Sequence, residues 1–279
     1  MKKLFFLSLL ALVFVSCQKT ETIEIESEDA LVTLKFSNFT MEPMTKAVVD
    51  VSVVSSKLDV WIIEGENVLE FNQVSADANF GTISASLNKT KTYTLYAIAH
   101  KSTAAAVLED DKISFTDNKV LDTYFYSGTF SPRTSTDLEC VMNRIVGLIK
   151  ITVTDAIPAN VAKMKFTLSG TNLAYNVAGY GDNSGDKINI IENLSTASDG
   201  SATFNVYGIA NNSTETQTVS VKAEALDSEN NVIEEKTFTN VPFKCGYLTQ
   251  YRGEFFVTTS VSSGFKMDNA WNNFDEMTY

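Results

Sequence analysis

Ile149-Lys150-Ile151-Thr152-Val153-Thr154 sets an apolar side chain at every second position with a polar one between. That is the period of a strand with one face in a core and the other in water. Val32-Thr33-Leu34-Lys35-Phe36 repeats the pattern near the start of the chain. Outward from these two, strands are expected at Leu58 to Ile63, Tyr93 to Ala99, Met164 to Leu168, Thr203 to Ile209, Val219 to Ala225 and Arg252 to Val257. The clusters Gly65-Glu66-Asn67, Gly181-Asp182-Asn183-Ser184-Gly185, Ser198-Asp199-Gly200 and Asp227-Ser228-Glu229-Asn230-Asn231 carry turn chemistry. No long amphipathic helix lies between the strands to make parallel crossovers. The pattern therefore predicts an all-β chain of antiparallel β-sandwiches.

The chain has 279 residues, and domains of about 100–200 residues make two the expectation. An echo between Tyr93-Thr94-Leu95-Tyr96-Ala97-Ile98-Ala99 and Thr203-Phe204-Asn205-Val206-Tyr207-Gly208-Ile209-Ala210 suggests two sandwiches of related plan. We assign 30–140 to the first and 141–260 to the second, joined by the polar stretch from Ser131-Pro132-Arg133 to Cys140. Its proline discourages a continuous central strand. Residues 261–279 are a final strand or a loose tail.

The first residues read as an export signal. Met1-Lys2-Lys3 is basic, Leu4 to Val15 is apolar apart from Ser8, and Ser16-Cys17 closes the run. These twelve residues reach about 18 Å as a helix, short of a hydrocarbon core of about 30 Å. Phe14-Val15-Ser16-Cys17 resembles the bacterial lipobox, with Phe14 in place of the usual Leu, which implies cleavage after residue 16 and lipidation of Cys17. Two or more acyl chains hold a protein stably at a membrane. Losing Lys2 and Lys3 with the leader takes the formal charge from -12 to -14. Residues 17–29 then form an acidic tether with five acids, kept extended by like charge. It resembles the signal that sends Bacteroidetes lipoproteins to the outer face of the outer membrane.

Composition argues against most chemistry. With 22 Lys+Arg against 34 Asp+Glu, the surface repels phosphate backbones, and no nucleic-acid partner is expected. One His and three Cys, one of them the Cys17 of the lipobox, do not supply the imidazole and thiolate sets of most zinc or triad sites. No catalytic residue, metal site or cofactor is expected, and His100 reads as a strand-end side chain bonded to a loop. Asp182-Asn183-Ser184-Gly185-Asp186 offers alternate oxygen ligands but lacks the downstream Glu of a Ca²⁺ loop, so a plain turn is preferred. Asp110-Asp111 and Glu234-Glu235 read as solvated charge rather than a glycosidase pair. Cys140 and Cys245 are expected as buried thiols, with a disulfide left open. Tyr124-Phe125-Tyr126 and Trp271 could stack on a sugar or pack in a core.

Larger blocks carry a family likeness. Asn72-Gln73, Asn79-Phe80-Gly81-Thr82-Ile83, Tyr93 to Ser102, Lys112-Ile113-Ser114-Phe115, Asp122-Thr123-Tyr124-Phe125-Tyr126, Asn143-Arg144-Ile145-Val146-Gly147 and Asp155-Ala156-Ile157-Pro158 together resemble the fimbrillin superfamily of Bacteroidales. The likeness is strongest to anchor and accessory subunits of type V pili, and it covers residues 45–170 best. It implies two tandem transthyretin-like β-sandwiches, a surface-exposed, lipid-anchored outer-membrane location in a fimbrium, and a role in cell adhesion. It also implies fimbrial partners joined by β-strand addition. Polymerising members are trimmed by an arginine-specific protease. Here the first arginine after Cys17 is Arg133, so only Lys19, Lys35 and Lys46 offer basic cleavage points in the N-terminal stretch. Lys46 is the site for a different trypsin-like cut, and the lack of an early arginine favours a subunit that keeps its lipid. A surface glycan-binding lipoprotein of a polysaccharide-uptake system is the alternative.

Overall fold

The computed structural model describes residues 28–41, 46–117, 119–191, 194, 196, 200–212, 214–256 and 266–273. The first half contains β1 (Asp29–Met41), β2 (Lys46–Asp50), the helical turn α1 (Val51–Val54), β3 (Lys57–Glu64), β4 (Asn67–Val74), β5 (Thr82–Asn88), β6 (Tyr93–His100), β7 (Ala106–Glu109), β8 (Lys112–Phe115), β9 (Thr123–Phe130) and β10 (Asp137–Arg144). The second contains β11 (Val146–Val153), β12 (Lys163–Asn176), β13 (Tyr180–Ile191), β14 (Ala202–Ile209), β15 (Gln217–Leu226), β16 (Val232–Phe243), β17 (Tyr247–Gly253) and β18 (Lys266–Asn273). The chain is all-β, folded as two tandem β-sandwiches.

One pairing plan is used twice. The first strand of each half pairs antiparallel with the fourth of the plan, β1 with β5 and β11 with β14. A hairpin follows, β3–β4 and β12–β13, and its first arm takes β6 or β15 on its other side. Those pair in turn with β9 and β16. The last strand then returns beside the first, β10 along β1 and β17 along β11. The sequence echo had matched Tyr93–Ala99 with Thr203–Ala210, but those segments are β6 and β14, which hold different places in the plan. The strand that holds the place of β6 in the second half is β15. Apolar alternation is common to every half-buried strand, so likeness of pattern does not report likeness of place.

Other differences concern direction and position. The closing pairs β1–β10 and β11–β17 are parallel, where wholly antiparallel sheets were expected; alternation reports the buried face and not the heading of a neighbour. Gly181 to Gly185 is not a turn but the start of β13, paired with the tail of β12. The reversal comes earlier, at Asn176 to Gly179, where Gly179 has φ 100° and donates its N–H to Asn176 O at 2.9 Å. The last strand expected at Arg252 to Val257 ends at Gly253, because the Asp155 carboxylate takes the N–H groups of Phe255 (2.7 Å) and Phe256 (2.6 Å) and draws the chain off the sheet. Residues 198 and 199 lie outside the described residues, and Asp227 to Asn231 turns as expected, with Asn230 at φ 70°.

Each sandwich has its own core. Leu34, Leu58, Leu95 and Met142 meet in the first, and Ile151, Phe166, Val221 and Phe243 in the second. A third cluster lies between them. Trp61, Ile98 and Phe125 project from the outer face of the first sandwich onto Ile113, Phe115, Tyr175 and Ile209. Burial on both faces explains why β3 and β6 read as nearly continuous apolar runs rather than clean alternations.

Candidate assembly site

β1 is the first described strand after the N-terminal segment, and it enters its sheet at once, with Lys89 N–H donating to Glu28 O at 2.7 Å. Its odd and even positions divide sharply. Val32, Leu34 and Phe36 are buried among Ile83, Ala85 and Leu87 of β5 and Cys140 and Met142 of β10, while Leu31 is 67% exposed and Lys35 reaches Glu139 at 3.7 Å on the outside. β5 covers Asp29 to Lys35 along one edge, and β10 covers Thr33 to Asn38 along the other. β1 thus fills a groove in which main-chain bonds supply the attraction and alternate apolar side chains the register.

A hairpin of the first half also pairs with the sheet of the second. β7 and β8 are joined through Asp110 (φ 49°) and Asp111 (φ 61°), the left-handed pair that a two-residue hairpin needs. This hairpin follows β6 in the first half, yet β8 pairs with the tail of β12 in the second sheet, with Ser114 opposite Ala174 and Ile113 opposite Tyr175. Val177 N–H donates to Asp111 O at 2.9 Å and Lys112 Nζ lies 3.4 Å from Asp182 Oδ2. The acids at 110 and 111 therefore build a turn. Glu235, on β16, meets Lys222 at 2.9 Å, and its neighbour Glu234 faces the other side of the strand, as successive strand residues must.

A buried polar pair secures the hairpin's root. His100 is fully buried at the end of β6 and is bonded not to a loop but to a strand: its Nε2 lies 2.9 Å from Asp59 Oδ2 on β3. The same oxygen accepts the Ala106 N–H at 2.9 Å where β7 begins. Asp59 went unnoticed in the sequence, although a lone acid inside the apolar run Leu58 to Ile63 signals a partnered carboxylate. Arg144, at the end of β10, donates from Nε (2.8 Å) and Nη2 (3.1 Å) to the two oxygens of the buried Asp122. Its guanidinium also lies 4.7 Å from the centroid of the Tyr124 ring.

The remaining singled-out residues are dispersed. Tyr124 and Phe125 are buried and Tyr126 is half-buried, with Phe125 edge-on to Tyr175 at 5.1 Å, so this cluster is packing rather than an exposed platform. Cys140 and Cys245 are free thiols in separate cores, and burial pushes each up to about 12. Cys245 Sγ–H donates to Arg144 O at 2.9 Å. Lys46 opens β2 opposite Met41. Lys266–Asn273 forms a final strand along β17. Cys17 and the side chains of Asn183, Ser184 and Trp271 lie outside the described residues. No cluster of His, Cys, Asp and Glu suited to a metal occurs among the described residues.

Comparison with known proteins bears on the whole chain. Residues 88–278 match the model of a family of unknown function, DUF6562. No curated protein matches. Among solved structures, a candidate adhesin from Bacteroides ovatus superposes with a TM-score of 0.54 at 11% identity, over 88% of this chain and 97% of that one. Candidate polysaccharide-binding proteins (DUF1812) from Bacteroides thetaiotaomicron give 0.53 at 6% identity, over 88% and 98%. The fimbrial anchor protein Mfa2 from Porphyromonas gingivalis gives 0.50 at 9% identity, over 87% and 98%. At such identities the shared property is the fold, and it extends through both sandwiches.

Proposed function

The chain belongs to the DUF6562 family, and from that premise we propose a non-enzymatic fimbrial anchor or accessory subunit that is lipidated at Cys17 and joins its partners by β-strand addition. The observation that carries the reading is the tandem fold shared along nearly the full length of a fimbrial anchor protein. The leader ending in Phe14-Val15-Ser16-Cys17 supports attachment to the outer membrane, and the acidic segment after it supports display on the outer surface in a fimbrium serving cell adhesion. The pairing plan supports a division of the chain at Ile145, the passage from β10 to β11, beyond the boundary at 140 expected from the sequence.

The groove that β1 fills and the pairing of the β7–β8 hairpin with the second sheet support strand addition as the mode of joining. A cut after Lys46 would sever the covalent link between β1 and the rest of the chain and leave β1 held only by its ladders to β2, β5 and β10. An uncut chain keeps its lipid and suits the base of a fibre. Intact mass of the surface-extracted protein tests both points: we expect a diacylglyceryl and acyl addition on Cys17, abolished in Cys17→Ala. An unmodified wild-type protein released to the medium overturns the anchoring role.

A second reading, a surface glycan-binding lipoprotein, draws support from the fold shared with candidate polysaccharide-binding proteins. The burial of Tyr124 and Phe125 removes the aromatic platform the sequence had offered. Retention on immobilised polysaccharides would favour it over the fimbrial role.

A further inference from the structure

The two parallel closing pairs have a mechanical consequence. In a parallel pair, the N-terminal end of one strand and the C-terminal end of the other lie at opposite ends of the ladder. Tension applied between those ends slides the strands along each other and loads every rung together. Tension applied to two ends on the same side opens the rungs one at a time. In this chain, the segment from Cys17 reaches β1 at its N-terminal end, and the chain leaves β10 at its C-terminal end. Thr33 to Asn38 and Asp137 to Met142 form the ladder between them. The passage to β11 is the single residue Ile145, itself buried and donating its N–H to Thr123 O at 3.0 Å. Arg144, just before it, is fixed on Asp122. The arrangement then repeats, with Leu148 to Val153 beside Leu248 to Gly253. The ladder is prolonged by Thr154 N–H to Gly253 O at 2.9 Å.

We infer that the chain is a tension-bearing link: two shear-loaded parallel ladders in series between its N-terminal tether and the far end of its second sandwich. The inference rests on the anchoring reading only for the source of the load. Lipid labelling tests that source, whereas the strand geometry is tested without a membrane.

The experiment is single-molecule force extension of the unlipidated mature chain, with Cys17 as one handle and an added cysteine as the other. Glu254→Cys, at an exposed position beyond β17, pulls both parallel ladders in shear. Arg133→Cys, exposed in the loop before β10, pulls β1 and β10 from the same side. The native Cys140 and Cys245 are buried and do not compete for handles. Matched melting curves for the two variants and the parent establish that the handles leave the fold intact. Forced rupture follows the unfolding rate, so the Cys17–Glu254→Cys geometry is expected to rupture at a force at least about twofold above the Cys17–Arg133→Cys geometry, since rungs must fail together rather than in turn. Equal forces in the two geometries, or the reverse order, overturn the inference.

Discussion

Removal of residues 31–39 takes out the body of β1, and its effect follows from what that strand buries. Val32 and Leu34 are fully enclosed and Phe36 is 3% exposed. Burial of such side chains stabilises by about 1.5–3 kcal/mol each, on the order of 5–9 kcal/mol for the three. The deletion also leaves facing edges of β5 and β10 without their ladder partner. A domain holds only about 5–15 kcal/mol in total, so the first sandwich of the deletion variant is expected to lose its cooperative unfolding transition. Two point variants test the register more finely. Leu34→Ala empties a buried site and is expected to cost about 2–5 kcal/mol. Leu31→Ala, three residues away but 67% exposed, is expected to stay within about 0.5 kcal/mol of the parent. Urea unfolding followed by circular dichroism measures all three. Equal losses for the two leucines, or a parental midpoint for the deletion, would refute the assigned face and the groove with it.

Asp59→Ala removes an acceptor shared by His100 Nε2 and the Ala106 N–H; stranding two buried donors at about 1–3 kcal/mol each is expected to lower the unfolding midpoint, and an unchanged midpoint would show that the hairpin root does not depend on the pair. Cys140 and Cys245, their thiols pushed up to about 12 by burial, are expected to resist a thiol reagent at pH 8 in the native state and to react in urea; rapid native labelling contradicts their burial. Glu224 is buried, and hydrogen bonds from Lys165 and then Lys222 hold its carboxyl below the ordinary 4.5. A depressed carboxylate stabilises the fold fully above its unfolded value and loses that contribution as pH falls through its lower folded value. Glu224→Gln is therefore expected to be less stable than the parent at pH 7, with the gap closing as pH drops below 4.5; a gap that persists at the acid end would count against the ion-paired role.

Several elements could be read from the chain before any coordinates. Ile149, Ile151 and Val153 alternate with Lys150, Thr152 and Thr154, and they do so because one face of β11 meets the second core. Gly65-Glu66-Asn67 and Asp227 to Asn231 announced their turns through residues that accept left-handed backbone or fold back on it. Other elements were present but faint. Ile83, Ala85 and Leu87 alternate in β5, yet a small residue in the middle weakens the contrast. β7 and β8 are four residues each, too short for period alone to declare. Gly181 to Gly185 carried every mark of a turn, and pairing with β12 overrode them. Of the candidate site, the apolar face of β1 was visible, whereas the groove it fills and the Asp59–His100–Ala106 junction were not.

Period and turn chemistry are local: where a strand wets one face, its sequence alone determined which face that is, and hence that this chain builds sandwiches instead of alternating helices and strands. Which strand lies beside which, and with what heading, was decided by tertiary structure. Thr33 meets Asp137, and Leu148 meets Leu248, only after the intervening strands have packed and returned the chain. The preference of a residue for a buried side is the same whether its neighbour runs parallel or antiparallel. The closing ladders and the hairpin that joins the halves come from contacts between segments far apart in the chain, where burial of Trp61, Phe125 and Tyr175 against one another selects one arrangement from many with the same alternation.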